Sequence, residues 1–181
     1  MGHREDLLEG AKRCLLEKGY ARTTARDIVA ASGTNLASIG YHYGSKEALL
    51  NQAFLAVTED WADSLDLPPK GDFAEVWDRV IASFGATRPL WKLQFEIVAR
   101  LDQDEELQKA LAVPQEDARN GLAAMFHGID PEAEPAKARA AGLVAQALLA
   151  GVMVQYLIDP ESAPSGQELA DGLRVIAGEQ E

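Results

Sequence analysis

The chain has 181 residues, enough for one medium domain or a small head with a larger body. Ala and Leu dominate a composition that is 47% hydrophobic, which favours helix, and the lone Cys14 excludes an intrachain disulfide. The net charge of −12 excludes a uniformly basic nucleic-acid binder, but residues 1–50 hold seven Lys/Arg against six Asp/Glu while residues 51–181 hold ten against 23.

The first predicted helix places Leu7, Leu8, Ala11, Cys14 and Leu15 on one apolar face, with Cys14 as inert core. Charge throughout the first 20 residues argues against a signal peptide, so a cytoplasmic location is expected. Thr24 is placed to cap a second helix over about residues 25–31, with Asp27 returning the bond as a capping-box variant. Ile28 and Val29 form its buried side. Gly33 supplies a sharp turn. Asn35 then caps a third short helix through about Tyr41 to Tyr43; Gly44 ends it, and Ser45 caps the next at Lys46. Helix, glycine turn and second helix make a helix-turn-helix signature.

Thr24, Arg26, Thr34, Asn35, Ser38, Tyr41, His42 and Lys46 supply hydroxyls, an amide, an imidazole and two cations around this motif. Such groups hold phosphates and reach base edges, while Leu36 and Ala37 are suited to a thymine methyl. Helix starts at Ala25, Leu36 and Lys46 add backbone N–H groups for phosphate. The plain alternative is one corner of an all-helical core. A near-neutral head predicts weak non-specific affinity and reliance on dimerisation.

The segment from about Asp6 to Leu50 closely resembles the TetR family of transcriptional regulators. The resemblance rests on Gly19-Tyr20, Thr23-Thr24, Asp27-Ile28, Gly33, Ile39, Tyr41-His42-Tyr43, Ser45-Lys46-Glu47 and Leu49, with their spacing. Gly40 stands where an aromatic is usual, Tyr43 for Phe, Ser32 for Ala and Thr34 for Val. The resemblance implies a homodimer joined through the last two long helices. It also implies a small-molecule effector that enters among the middle helices and moves helix 4.

The fourth helix is predicted over about residues 46–64, with Leu49, Leu50, Ala53, Phe54, Val57 and Trp61 at helical spacing. Leu65 to Gly71 breaks it. Asp72 and Glu75 are read as a capping pair for a fifth helix that buries Phe73, Val76, Trp77, Val80, Ile81 and Phe84. Pro89 suits the first turn of a sixth, which carries Trp91, Phe95, Ile97, Val98 and Leu101. The acidic run Asp102, Asp104, Glu105 and Glu106 is read as a helix opening, and Pro114 as a kink or split between about residues 104 and 126. Gly128 to Pro135 is a loop.

From Ala140 to Ile158 every residue is apolar or Gly except Gln146 and Gln155. A membrane span is rejected because Ala and Gly make it weakly hydrophobic and two amides interrupt it. A buried helix is expected instead. After a Pro-rich turn, Ser165 and Glu168 form a capping box for the last helix. The expected dimer contact is Leu143, Ala147, Ala150, Gly151 and Val154 with Leu169, Leu173 and Ile176, in a four-helix bundle from two subunits.

His3, His42 and His127 lack metal-ligand spacing, and no cofactor or catalytic constellation is evident. The expected architecture is all-α, about nine helices, with a three-helix helix-turn-helix DNA-binding domain over residues 1–50 and a helical ligand-binding and dimerisation domain over residues 51–181. The expected effector-binding set is Trp61, Trp77, Phe84, Trp91, Phe95, Met125, Phe126, Met153 and Tyr156, with Gln146 and Gln155 each needing a partner. The expected function is a ligand-responsive repressor that binds a double-stranded, pseudo-palindromic DNA operator as a homodimer. The alternative is a helical small-molecule-binding protein or enzyme whose helix-turn-helix no longer binds DNA.

Overall fold

The structure, a computed structural model, describes residues 2–67, 72–112 and 114–178. Ten α-helices and no strand occur among the described residues: α1 (His3–Lys18), α2 (Ala25–Ser32), α3 (Leu36–Tyr43), α4 (Lys46–Ser64), α5 (Phe73–Ser83), α6 (Arg88–Val98), α7 (Glu105–Ala112), α8 (Pro114–His127), α9 (Pro135–Ile158) and α10 (Gly166–Ala177). The all-helical class matches the reading of the sequence, with ten helices among the described residues where about nine are expected. Packing divides the chain into two compact units. One holds the chain up to Ser64 with Thr87–Ala112; the other holds Leu65–Ala86 with the residues from 114 on. The expected boundary at residue 50 falls inside α4, which is continuous.

In the first unit, local signals set the head. Thr24 Oγ1 accepts the Asp27 N–H at 3.2 Å, and Asp27 Oδ2 accepts the Thr24 N–H at 2.9 Å, so the capping box closes. Gly33 ends α2 at φ +69°, a left-handed conformation that a Cβ disfavours. Asn35 Oδ1 accepts the Ser38 N–H at 3.1 Å and Ser45 Oγ the Ala48 N–H at 3.0 Å, starting α3 and α4 where expected. The core combines Leu7, Ala11, Cys14 and Leu15 of α1, Ile28, Ile39, the six predicted residues of α4, and Leu90, Trp91, Leu93 and Ile97 of α6. Val98 at the end of α6 is 54% exposed. Asp104 Oδ1 accepts the Leu107 N–H at 2.9 Å, so the acidic run does open a helix.

In the second unit, Pro68 to Gly71 of the predicted break lie outside the described residues. The expected Asp72 and Glu75 cap does not form. The Asp72 side chain makes no capping bond, and Glu75 turns instead to Arg79 at 3.1 Å. Helix start there rests on the backbone, with Val76 N–H donating to the Asp72 carbonyl at 3.0 Å. Pro114 separates α7 from α8 rather than kinking one helix, with residue 113 outside the described residues. α8 packs closely on α9 at Gly142, where a Cβ would stand 2.2 Å from the Arg119 carbonyl oxygen.

α9 is apolar on both sides and buried on one. This 24-residue helix is long and apolar enough to cross a membrane, yet only 28% of its most apolar window is buried. Ala138, Gly142, Ala145, Leu149, Val152 and Met153 form the inward stripe. A second stripe of Leu143, Ala147, Gly151, Val154 and Ile158, at the same spacing of three and four, is exposed. The described residues cover one side of the helix, and the side left exposed carries the residues expected at a dimer contact.

Candidate nucleic-acid interface

α3 turns Ile39 inward, 4% exposed, and presents Leu36, Ala37, Gly40 and Tyr41 outward, with Leu36 52% and Tyr41 86% exposed. A single chain gains nothing from leaving an aromatic ring and a leucine in water on one short helix. The helix is fastened from behind. Tyr43 Oη donates to the Arg4 carbonyl at 2.7 Å, the Arg4 guanidinium lies 5.4 Å from its ring centre, and burial pushes the phenol pKa up. Tyr43, which stands where Phe is usual, is thus an anchor of α3 on α1.

The candidate contacts divide by what their polar atoms already do. Asn35 uses its oxygen to cap α3, which leaves its amide N–H groups as donors. Tyr41 and the half-buried His42 meet edge to face at 4.8 Å. Arg26 is exposed and forms no ion pair among the described residues. Lys46 opens α4 beside Glu47 at 3.3 Å, a partly exposed pair that a phosphate can outcompete. Ser38 is half-buried at the same end of α3. Two hydroxyls are already engaged. Thr24 Oγ1 serves the capping box and donates to Asp27 Oδ2 at 2.7 Å, and Thr34 Oγ1 lies 2.8 Å from Ser32 Oγ.

Asp27 does not oppose an incoming phosphate as a bare anion. Lys18 Nζ lies 2.5 Å away, and this bond, with those from Thr24, holds its carboxyl well below the usual carboxylate range. A set of residues distant in sequence braces the head. Glu96 of α6 accepts the N–H groups of Tyr20 and Ala21, Tyr20 Oη donates to Asn51 Oδ1 of α4, and the Arg100 guanidinium sits 5.6 Å from the Tyr20 ring centre. Desolvation pushes the Tyr20 phenol up to about 12. No sequence signal marks Glu96 or Arg100.

The expected effector set falls into both units. Trp61 and Trp91 meet edge to face at 4.7 Å in the first, where Phe95 is half-buried. Trp77 meets Phe126 at 5.4 Å and Phe84 meets Tyr156 at 5.4 Å in the second, with Met153 buried and Met125 half-buried. The Trp77 indole N–H is buried with no hydrogen-bond partner among the described residues. Gln146 finds its partners within the chain: Arg119 Nε donates to it at 3.2 Å, and it donates to Gln115 at 3.0 Å. Gln155 is exposed and needs none. Of the expected dimer contacts, Leu143, Ala147, Gly151, Val154 and Ile176 are exposed, and Ala150, Leu169 and Leu173 are half-buried.

Residues 7–53 match the model of bacterial regulatory proteins of the tetR family. The chain is 33% identical over 107 residues to the HTH-type transcriptional repressor AcnR of Corynebacterium efficiens, a match covering 58% of this chain and 54% of that one. The chain spans about half the length of the curated relatives it matches. In fold it is similar to a TetR transcription regulator from Haloarcula marismortui, with a TM-score of 0.61, 18% identity and coverage of 97% and 95% of the two chains. It is also similar to the multidrug binding protein EbrR complexed with imidazole, with a TM-score of 0.61, 26% identity and coverage of 89% and 82%.

Proposed function

We propose that the chain, whose residues 7–53 match the model of bacterial regulatory proteins of the tetR family, is a member of that family and a ligand-responsive transcriptional repressor. It binds a double-stranded, pseudo-palindromic operator as a homodimer and leaves it when a small molecule binds. The observation that carries the reading is the outward face of α3, with Leu36 and Tyr41 in solvent over a buried Ile39. In this reading α3 enters the major groove. Asn35, Leu36, Ala37 and Ser38 meet base edges, while Arg26, Tyr41, His42 and Lys46 hold phosphates. Thr24 and Thr34 act mainly by shaping the turn, since their hydroxyls are engaged.

Two further observations support the remaining parts. A buried indole N–H without an acceptor costs about 1–3 kcal/mol, so Trp77 is the residue of the second unit around which an effector with an acceptor group is proposed. The exposed apolar stripe of α9 supports a second copy of the chain as its cover, in a soluble, cytoplasmic protein. The repressor sense follows the name of the relative AcnR, and effector binding is favoured by the imidazole complex of EbrR. The function proposed is regulatory rather than enzymatic.

Footprinting on the DNA upstream of its own gene tests the reading. A two-fold symmetric footprint is expected, with half-sites about one helical turn apart or slightly more. Replacing Lys46 with Ala is expected to weaken binding to all sequences and to reduce the salt slope by about one. No footprint, with small-molecule binding intact, would favour a helical binding protein that has lost DNA.

A further inference from the structure

A cleft of about 360 Å³ lies in the second unit where α8 meets the start of α9, and none of the sites above uses it. Glu116, Arg119 and Asn120 line it from α8, and Pro135, Ala136 and Arg139 from α9. Two guanidiniums against one carboxylate leave it cationic, in a chain whose net charge is −12. Acidic partners are abundant in such a chain, yet neither arginine forms an ion pair among the described residues.

The two arginines are not equivalent. Arg119 is half-buried, and its Nε is tied to Gln146 Oε1, which is steadied in turn through Gln115. That bond orients the guanidinium, and neither Nη group forms a hydrogen bond among the described residues. Arg139 is exposed and comes from the opposite wall. α9 opens beside them without a side-chain cap, and Glu134, its N-cap residue, pairs with Lys137 at 3.1 Å. The positive end of a 24-residue helix therefore adds to the two cations.

We propose that this cleft binds a small organic oxyanion, a carboxylate or phosphoryl group held between Arg119 and Arg139. The guanidinium fork matches both chemistries. An apolar ligand would desolvate two unpaired cations, and a cationic one would be repelled. The volume, at the small end of ligand sites, suits a metabolite rather than a peptide. Asn120 adds amide donors, and Glu116 can accept from a hydroxyl on the ligand.

Titration calorimetry on the full chain at low salt tests the site, with succinate and inorganic phosphate as separate probes and tetramethylammonium chloride as the salt control. Binding of one oxyanion per chain is expected, weakened at least about tenfold by Arg139→Gln and by Arg119→Lys, which keeps charge but loses the fork. Succinate alone assigns a carboxylate ligand, phosphate alone a phosphoryl ligand, and both a general oxyanion site. Arg139 is exposed, so its variant decides the matter even if Arg119→Lys fails to fold. Absence of binding by either probe up to about 10 mM overturns the proposal, as does affinity unchanged by Arg139→Gln. None of these readouts depends on DNA binding.

Discussion

The Glu96 carboxylate on α6 accepts the backbone N–H of Ala21 at 2.7 Å, across 75 residues of chain. It also accepts the Tyr20 N–H at 3.1 Å, so one side chain holds the turn between α1 and α2. Asn51 of α4 and Arg100 hold the ring of the same Tyr20. A shift of α6 is therefore felt by the head at Tyr20 and Ala21, ahead of α3. Hydrogen bonds to a charged group contribute about 1.5–3 kcal/mol when buried, and partial exposure reduces this to about 1 kcal/mol. Glu96→Ala is expected to lower the melting temperature, expose the Tyr20 and Ala21 amides to hydrogen exchange, and weaken operator binding several-fold. Unchanged exchange at both amides would show that the carboxylate does not hold the turn.

Acid should loosen the same head through Asp27. Its carboxyl is held low by Lys18 first and by Thr24 second. A depressed native pKa contributes stability that is present above the unfolded value of about 3.9 and is lost as pH falls toward the native value. Thermal melts should therefore fall more steeply from about pH 5 to pH 2 in the wild type than in Asp27→Asn. Glu168, lowered by its bonds from Ser165, titrates in the same window in both proteins, so the difference between them isolates Asp27. Parallel curves would mean the Lys18 contact is not formed in solution.

Gly40 separates stability from recognition. A Cβ built there meets nothing within 4 Å, so the fold does not require glycine. Gly40→Ala should stabilise α3 by up to about 1 kcal/mol through helix propensity. If the bare backbone lets α3 sit close to the DNA, the same variant loses operator affinity while gaining melting temperature. Gains in both would show that Gly40 only loosens the helix.

The head was legible because its signals are local. Thr24 with Asp27, the turn at Gly33, Asn35 and Ser45 act within three residues of their partners, and each sits where its side chain suggests. The bracing of that head was not legible. Glu96 reads as one more acidic residue until folding brings it to Tyr20. Gln146 is half-buried and bonds to Arg119, 27 residues away, a partner that nothing in an apolar helix names. Periodicity told that Trp61, Trp77, Phe84 and Trp91 are buried but not which ring faces which. Hydrophobicity on all sides of α9 records that every side is covered without saying by what, and the described residues cover one.

That last ambiguity yields the most direct test of assembly. Ala147 and Gly151 lie on the exposed stripe of α9, and a Cβ built on Gly151 meets nothing within 4 Å. Leu143 at 41%, Val154 at 39% and Ile158 at 79% exposure continue that stripe, and Val175 and Ile176 stand 77% and 84% exposed on α10. An arginine at Gly151 therefore has room within its own chain, and the subunit should fold with unchanged far-UV circular dichroism. Against a second copy the same arginine would overpack a close helix contact and bury an unpaired charge, a cost of several kcal/mol. Gly151→Arg and Ala147→Arg are thus expected to sediment as folded monomers. Each should lose operator affinity, because a two-fold site needs two heads held together. Loss of helicity would place these residues in the interior of one subunit. A folded dimer that still binds its operator would move the interface away from α9.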